Sequence, residues 1–448
     1  MGEKVDLFII GAGVAGRTAA KVARGAGWSV AMAEADGLGG TCPLRGCEPK
    51  KILWQAVEAA WRAGNARGQG VLDSAPRVDW AGLMRFKRTF TEPVDGAFMR
   101  SLTDMGVQVV RGRAEFTGED RVAAGGREFH AEHIFIGVGA QPMRLPFPGA
   151  GLVTTSDGFL ELDELPESIV FIGGGYISFE FAHIAARCGV GCRIIQRGGR
   201  ALKLFERDMA ELVVAATRDL GVEVIIGEEV TDVQSEGGRL HVHVGRDRRR
   251  LCDCTMAVHG AGRAPALEGL GLEKGGVGAG KRGVMVDEHF RSVSNPRVWS
   301  AGDCADTPFQ LTPVADMEAW AAARNLVHGE RRTVDYSAVP SVSFTLPVLA
   351  GVGLSEEQAR ERGLDVDVRA GDMTGWSSSR RVGVKHAGYK VLVDKSTDRV
   401  LGAHVVGHQA EEIVNAFALA MGHGMTARQL KAFPLAYPTG GYELRYML

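Results

Sequence analysis

Three features predict an α/β fold. A short apolar run closed by Gly-x-Gly-x-x-Gly opens the chain, the same pattern returns from Ser168, and from about Pro340 strands alternate with one long helix. Together they predict two Rossmann-like dinucleotide-binding domains followed by a C-terminal α+β unit. At 448 residues the chain is too long for a single core and divides into several domains.

The first element is Val5 to Ile10, an apolar run typical of a buried parallel strand. Gly11-Ala12-Gly13-Val14-Ala15-Gly16 follows, then helical spacing through Ala19, Ala20, Val22 and Ala23, then a second strand from Ser29 to Ala33 ended by Glu34. Strand, glycine loop, helix, strand and an acid about 20 residues on make a dinucleotide site. The glycines let backbone approach a pyrophosphate at the helix N-terminus, and Glu34 can accept hydrogen bonds from a ribose.

In the second copy, Ile169 to Ile172 is the strand, Gly173-Gly174-Gly175-Tyr176-Ile177-Ser178 the loop, Phe179 to Ala186 helical and Gly191 to Ile195 the next strand. Position 196, where a reader of the adenosine 2′-hydroxyl would be acidic, holds Gln, followed by Arg197, Arg200 and Lys203. An acid repels a 2′-phosphate and a basic cluster attracts one, so the site is expected to prefer NADPH, with NADH possible. The alternative is a solvated basic loop without phosphate contact.

Three further strand-and-turn segments serve the two units. Ile134 to Pro142 marks the crossing into the second unit, Ala257 to Pro265 closes it, and Val298 to Asp303 ends in a Gly-Asp pair that can aim a carboxylate at a ribityl or ribose hydroxyl. In the C-terminal unit, strands are expected at Val366 to Ala370 and Tyr389 to Val393, with a helix from Ala410 to Gly422.

The densest motif lies between the first Rossmann unit and a helical run: Gly39-Gly40-Thr41-Cys42-Pro43-Leu44-Arg45-Gly46-Cys47-Glu48-Pro49-Lys50-Lys51. Two cysteines five positions apart beside a dinucleotide loop point to thiol–disulfide chemistry coupled to hydride transfer. The alternatives are a structural disulfide, which a reducing compartment disfavours, and a zinc half-site, which wants C-x-x-C-like spacing and a second ligand pair. Cys252 and Cys254 form a C-x-C expected on one face of a strand. Cys188, Cys192 and Cys304 read as core residues.

Composition narrows the setting. A net charge of -2 offers no whole-chain attraction to nucleic acid or anionic membrane. No apolar run reaches the roughly 18 residues that span a bilayer. Seven cysteines are odd and sparse for a secreted disulfide scaffold, and Met1 to Lys4 leads straight into a strand without a signal peptide, so a cytoplasmic location is expected.

These residues resemble the class I flavoprotein disulfide reductases, the family of glutathione reductase, dihydrolipoamide dehydrogenase and mercuric reductase. The resemblance runs almost end to end. Gly39-Gly40-Thr41-Cys42 with Gly46-Cys47-Glu48-Pro49-Lys50 is its most specific motif. It implies an FAD-binding domain over 1–145, an NAD(P)H-binding domain over 146–265, a return to the FAD domain over 266–335, and a C-terminal α+β dimerisation domain over 336–448 in a homodimer. It implies that hydride from NADPH reaches a Cys42–Cys47 disulfide through FAD and goes on to a small-molecule substrate, a disulfide foremost. No resident metal is implied.

By the same resemblance Cys42 corresponds to the thiol that attacks the substrate, and Cys47 to the thiol that contacts the flavin. Lys50 and Glu180 match an ion pair near the flavin, and Tyr176 the aromatic over the nicotinamide pocket. Gly11, Gly13, Gly16, Glu34 and Asp303 match FAD contacts, and Gly173 and Gly175 the NAD(P)H loop. Gly40, Thr41, Lys51, Gly139, Gly262, Arg263, Gly302 and Thr312 complete the cofactor-binding set. The thiolate is the reactive form, and a helix start and an oxidised flavin both favour it.

The chain departs from the family at its end. Glutathione reductases and lipoamide dehydrogenases carry His-Pro-Thr followed by Glu, and that His serves the partner's cysteine pair as acid–base. Here the segment reads Tyr437-Pro438-Thr439-Gly440-Gly441-Tyr442-Glu443, with Tyr437 in the His position and Glu443 one residue late. Tyr442 holds the position expected for the Glu. Tyr437 and Glu443 are the candidate catalytic residues here, but a phenol of pKa about 10, though it can donate a proton, is a poor base at neutral pH. This argues against dihydrolipoamide dehydrogenase activity. Lys21 and Trp320 stand where glutathione reductases place substrate arginines. Mercuric reductases also lack the His but carry a C-terminal cysteine pair, and this chain has no cysteine after Cys304. Metal-ion or quinone reduction and a diaphorase or oxidase reaction remain as alternatives.

Overall fold

A computed structural model describes residues 2–70, 74 and 76–448. The chain forms two compact units, each built from three stretches: Met1–Lys50, Arg85–Met143 and Arg263–Asp335 in the first, and Lys51–Met84, Arg144–Gly262 and Tyr336–Leu448 in the second. Lys51–Met84 falls within the second unit.

The first unit is organised by a seven-stranded sheet. Gln108–Arg111, Val30–Glu34, Glu3–Ile10 and Arg127–Ile136 run parallel in that order. Val298–Ser300 adds in parallel to the far side of Arg127–Ile136. A meander of Ala114–Gly118 and Arg121–Ala124 pairs antiparallel beside it. The opening strand is buried on both sides, and its side chains alternate between two cores. Leu7 and Ile9 face Ala15, Ala19 and Ala23 of helix Val14–Gly25 and the alanines of helix Thr312–His328. Phe8 and Ile10 face Phe116 and Val122 of the meander and Phe129 of strand Arg127–Ile136. This double burial explains why the strand reads as a continuous apolar run.

The second unit contains a five-stranded parallel sheet in the order Glu223–Ile226, Gly191–Gln196, Ser168–Ile172, Met256–His259 and Val153–Thr154. A three-stranded antiparallel sheet of Val230–Glu236, Arg239–Val244 and Arg249–Cys254 accompanies it. Beyond Tyr336 lies an antiparallel five-stranded sheet ordered Pro340–Ser343, Val348–Gly353, Val400–Gly407, Gly388–Asp394 and Val366–Asp372. Helix Ala410–Gly422 buries Ala410, Ile413, Val414, Phe417 and Ala420, one stripe at helical spacing.

Cys252 and Cys254 share strand Arg249–Cys254 and, two apart, one face of it. Cys192 and Cys304 are buried and Cys188 is half-buried. Burial pushes the Cys192 thiol up to about 12, as suits an inert core residue. No described helix is long and apolar enough to cross a membrane.

Candidate active site

In the first unit the glycine loop is shaped for backbone. Gly11 sits at φ +99°, and a Cβ there would lie 2.6 Å from the Gly137 carbonyl oxygen; one on Gly16 would lie 1.9 Å from that of Gly11. Gly13 differs: its Cβ would meet nothing nearer than 3.9 Å, and no side chain caps the helix it starts. The N-terminal amides of Val14–Gly25 thus remain available to an anion, and the cradle fits the pyrophosphate of FAD. Glu34 braces the loop, its two oxygens accepting the amides of Ala12 at 2.8 Å, Asp36 at 2.8 Å and Gly37 at 3.3 Å.

On the same unit, strand Ala140–Pro142 pairs antiparallel with Arg263–Pro265, and an Arg263 guanidinium nitrogen donates to the Ala140 carbonyl at 2.5 Å. Gly139 precedes this pair at φ +67° and Gly262 at φ +117°, conformations that favour glycine. Gly302, also at positive φ, donates its amide to Glu318 at 2.8 Å. Asp303 follows, and burial raises its carboxyl while Arg263 opposes that shift. Glu318, fully buried on the alanine-rich face of helix Thr312–His328, was not singled out from the sequence. The detectable signal was one acid amid Ala319, Ala321, Ala322 and Ala323.

The cysteine loop rests directly on the glycine loop. Gly39 donates to the Ala12 carbonyl at 3.1 Å, and a Cβ on Gly40 would lie 2.7 Å from Gly13 Cα. Thr41 and Cys42 begin the short helix Thr41–Arg45. Gly46 breaks it, and Cys47 is the first residue of helix Cys47–Asn65. The break folds two helix starts against each other and brings the thiols together. Cys42 is hydrogen-bonded to Cys47 and to Thr312, and the Cys47 sulfur lies 3.6 Å from Thr312 Oγ1. The neighbouring Cys47 and burial both push the Cys42 thiol up, while Thr312 lowers it. Thr312, expected among cofactor residues, therefore stands on the thiol pair. Lys50 completes the first turn of the same helix, its amide bonded to the Gly46 carbonyl at 3.1 Å.

In the second unit the glycine loop repeats the first. Gly173 is at φ +107°, with a Cβ position 2.5 Å from the Gly260 carbonyl oxygen. Gly175 starts helix Tyr176–Arg187 without a side-chain cap. This cradle fits the pyrophosphate of NADPH. Gln196 Oε1 accepts the Gly174 amide at 2.8 Å. Tyr176, partly exposed, is the first residue of that helix. The three basic residues differ in disposition. Arg197 is 77% exposed, 3.7 Å from Glu229. Lys203 reaches back over Gly198. Arg200 is turned inward onto the carbonyls of Lys203 and Phe205 and pairs with Glu357 at 3.3 Å.

Glu180 is 2% exposed and accepts the amide of Phe344 at 2.7 Å. The Lys51 ammonium lies 3.5 Å from the Trp54 ring centroid and 3.7 Å from that of Phe344, held by two aromatic faces. At the C-terminus Tyr437 is 76% exposed, precedes a cis proline and packs edge-on against Tyr442 with ring centroids 5.0 Å apart. Glu443 instead accepts the Ser378 hydroxyl at 2.5 Å. Tyr437 thus packs on Tyr442, whose hydroxyl accepts from Arg445 at 2.7 Å.

Residues 5–319 match the family model described as pyridine nucleotide-disulphide oxidoreductase, and residues 339–447 match its dimerisation domain. The chain belongs to the pyridine nucleotide-disulphide oxidoreductases. Among its relatives are a glutathione reductase from Burkholderia cepacia, 35% identical over 97% of this chain and 96% of that protein, and a mercuric reductase from Bacillus cereus, 32% identical over 97% and 69%. The Cu(II) complex of the HOCl-induced flavoprotein disulfide reductase RclA from Escherichia coli aligns with TM-score 0.89 and 28% identity, covering 99% of both chains. Like its family, this pyridine nucleotide-disulphide oxidoreductase is an enzyme that uses FAD and NADPH in chemistry at sulfur. The two glycine cradles and the thiol pair are the parts that such a cycle requires.

Proposed function

We propose that the protein is a cytoplasmic, homodimeric NADPH-dependent reductase whose Cys42–Cys47 pair delivers electrons to a small disulfide or another compact electrophile. The observation that carries this reading is the grouping of Cys42, Cys47 and Thr312 on the loop that packs against Gly13. Bound FAD supplies the two-electron relay between NADPH and that pair.

With the pair reduced, the Cys42 thiolate attacks a substrate disulfide, RS–SR′. One thiolate leaves and a Cys42–S–SR bond forms. Cys47 then attacks Cys42 Sγ, expels the second thiolate and re-forms the Cys42–Cys47 bond. The two protons of the dithiol end on the two leaving thiolates, so NADPH, a proton and RS–SR′ yield NADP⁺, RSH and R′SH. Thr312, within reach of both sulfurs, offers a hydroxyl that stabilises a thiolate. Cys47 gains further from its place at a helix N-terminus. Tyr437 supports reduction over dithiol oxidation, because a phenol is a weak base at neutral pH.

A second reading is favoured by the Cu(II)-complexed relative and the mercuric reductases: the same thiols reduce a metal ion as substrate. Turnover of the FAD-loaded enzyme with NADPH against glutathione disulfide, other small disulfides, lipoamide, Hg(II), Cu(II) and quinones tests both. Reduction of a disulfide that Cys42→Ser abolishes is the expected result, with quinone diaphorase turnover spared. Turnover of the preferred substrate by Cys42→Ser at the original rate overturns the thiol mechanism.

A further inference from the structure

Arg17 has no role in the account above, and its setting is unusual. It is the fourth residue of helix Val14–Gly25, its amide bonded to the Gly13 carbonyl at 3.0 Å. Its guanidinium carbon lies 3.7 Å from the centroid of the Phe98 ring, so the group is laid on an aromatic face. That ring also touches the cysteine loop: a Cβ on Gly39 would lie 3.0 Å from Phe98 Cδ2. Phe98, Gly39, Gly40 and Gly13 thus form one wall, with Arg17 one turn above Gly13 and Cys42 two residues beyond Gly40. The Arg17 Nε is buried with no hydrogen-bond partner among the described residues.

We propose that Arg17 is a positioning residue of the redox site: a fixed cation, braced by Phe98, that holds Cys42 as a thiolate. The inference rests on the disulfide-reductase reading and deepens it.

Charge balance at the site supports the assignment. The groups facing Cys42 from the neighbouring helices are Cys47 and Glu48 at the start of Cys47–Asn65, and both oppose its ionisation. On helix Thr312–His328, Thr312 favours it and Asp316 brings a further carboxylate beside Arg17. Arg45, on Cys42's own short helix, is drawn towards Asp36 at 3.6 Å. Lys50 stands one turn along from Cys47. Burial lowers Arg17, and the negative charges of Cys42 and Asp316 raise it in return. The interaction is reciprocal: a cation stabilised by the thiolate stabilises the thiolate. The Asp316 carboxylate beside Arg17 does not cancel it, because guanidinium remains charged throughout the working range. With Tyr437 at the position of the family's acid–base, such a cation keeps a nucleophile available without a nearby base.

The test is the pH dependence of Cys42 alkylation by iodoacetamide, followed by peptide mass spectrometry in FAD-loaded enzyme carrying Cys47→Ser, so that one thiol of the pair reports. Arg17→Gln, which keeps a planar polar group but no charge, is expected to move the midpoint up by about one pH unit and to slow alkylation roughly tenfold below it. Arg17→Lys is expected to restore most of the shift. Coincident profiles for Arg and Gln at equal flavin content overturn the role of Arg17. A second readout needs no Arg17 variant. Beside a cation, the anionic reagent iodoacetate reacts faster relative to iodoacetamide than it does with free glutathione. A ratio at or below that of glutathione likewise overturns the proposal. These outcomes are separate from the fate of the reductase reading, which depends on turnover by Cys42→Ser.

Discussion

Gln196 Oε1 accepts the amide hydrogen of Gly174 at 2.8 Å, and Glu34 Oε2 does the same for Ala12 at 2.8 Å in the other Rossmann unit. The two side chains hold equivalent places, one strand beyond each glycine loop. Bracing the loop therefore needs an oxygen acceptor but not a charge. In the first unit the charge remains and suits a ribose with free hydroxyls. In the second it has been removed while the brace is kept, which suits a nucleotide whose ribose carries a phosphate.

Gln196→Glu separates these two roles. The carboxylate can still accept from Gly174, so fold and thermal midpoint are expected to hold. It adds a negative charge beside the 2′-phosphate, and KM for NADPH is expected to rise about tenfold, equivalent to about 1.4 kcal/mol, with KM for NADH little changed. Arg197→Ala is expected to act in the same direction, since Arg197 is an exposed base of the cluster, whereas Arg200→Ala is expected to lower stability first because it loses carbonyl and Glu357 contacts. Steady-state kinetics with both nucleotides decide the matter. An unchanged NADPH to NADH ratio in Gln196→Glu would remove Gln196 from specificity.

Gly40→Ala probes the join between the thiol loop and the flavin cradle. Gly40 lies at φ +74°, and its Cβ would come within 2.7 Å of backbone at Gly13, an atom that cannot yield. The strain falls on the two loops that must stay in register, at a cost of about 1–3 kcal/mol. Lower flavin content per chain and slower disulfide turnover are expected together. Full flavin retention with unchanged turnover would show that the contact is dispensable.

The readable parts of the sequence were those with local causes. The strands at Val5 and Ile169 are buried on both faces, so they announce themselves as apolar runs, and helix Ala410–Gly422 shows its stripe at the true boundaries. The glycine loops were legible because positive φ and close backbone approach admit few other residues. Arg17 and Glu318 were not legible, because their meaning comes from partners on other elements: Glu318 acts on Gly302, and Arg17 depends on Phe98 and Cys42. Arg200 was legible only as a member of a basic run; that it also donates to the carbonyls of Lys203 and Phe205 depends on the turn they form.

Tyr437 stands where the family places an acid–base, so substitution there tests whether the phenol takes part in turnover. Tyr437→Phe is expected to lower turnover less than tenfold and to leave the acidic limb of the profile unmoved. Tyr437→His adds a group of ordinary pKa about 6.5. Its neutral form is the base, so activity dependent on it is expected to rise with pH through that value. Rate profiles from pH 5 to 9 check both variants. A loss of several hundredfold in Tyr437→Phe would make the phenol an essential proton donor.

Lys390 gives the sharpest stability test. Its ammonium, 5% exposed, lies 2.9 Å from Glu206, 2.5 Å from Asp208 and 2.7 Å from Glu356. Those three carboxylates are close enough to suggest a metal site, but the lysine already supplies the cation. Glu206 is held below its ordinary value by Lys390 and the Glu356 amide against the opposing effect of burial. A lowered carboxyl stabilises the fold above its unfolded pKa of about 4.3, and that contribution fades as pH falls towards and below it. In Lys390→Met the buried Glu206 carboxylate loses its partner, at a cost of about 3–5 kcal/mol. Its folded pKa then rises above the unfolded one, so protonation favours the folded state. The variant is accordingly expected to gain stability between pH 7 and pH 5, where the wild type stays flat or loses it. Urea unfolding at the two pH values distinguishes these opposite slopes, and parallel behaviour of the two proteins would mean that Lys390 does not neutralise the cluster.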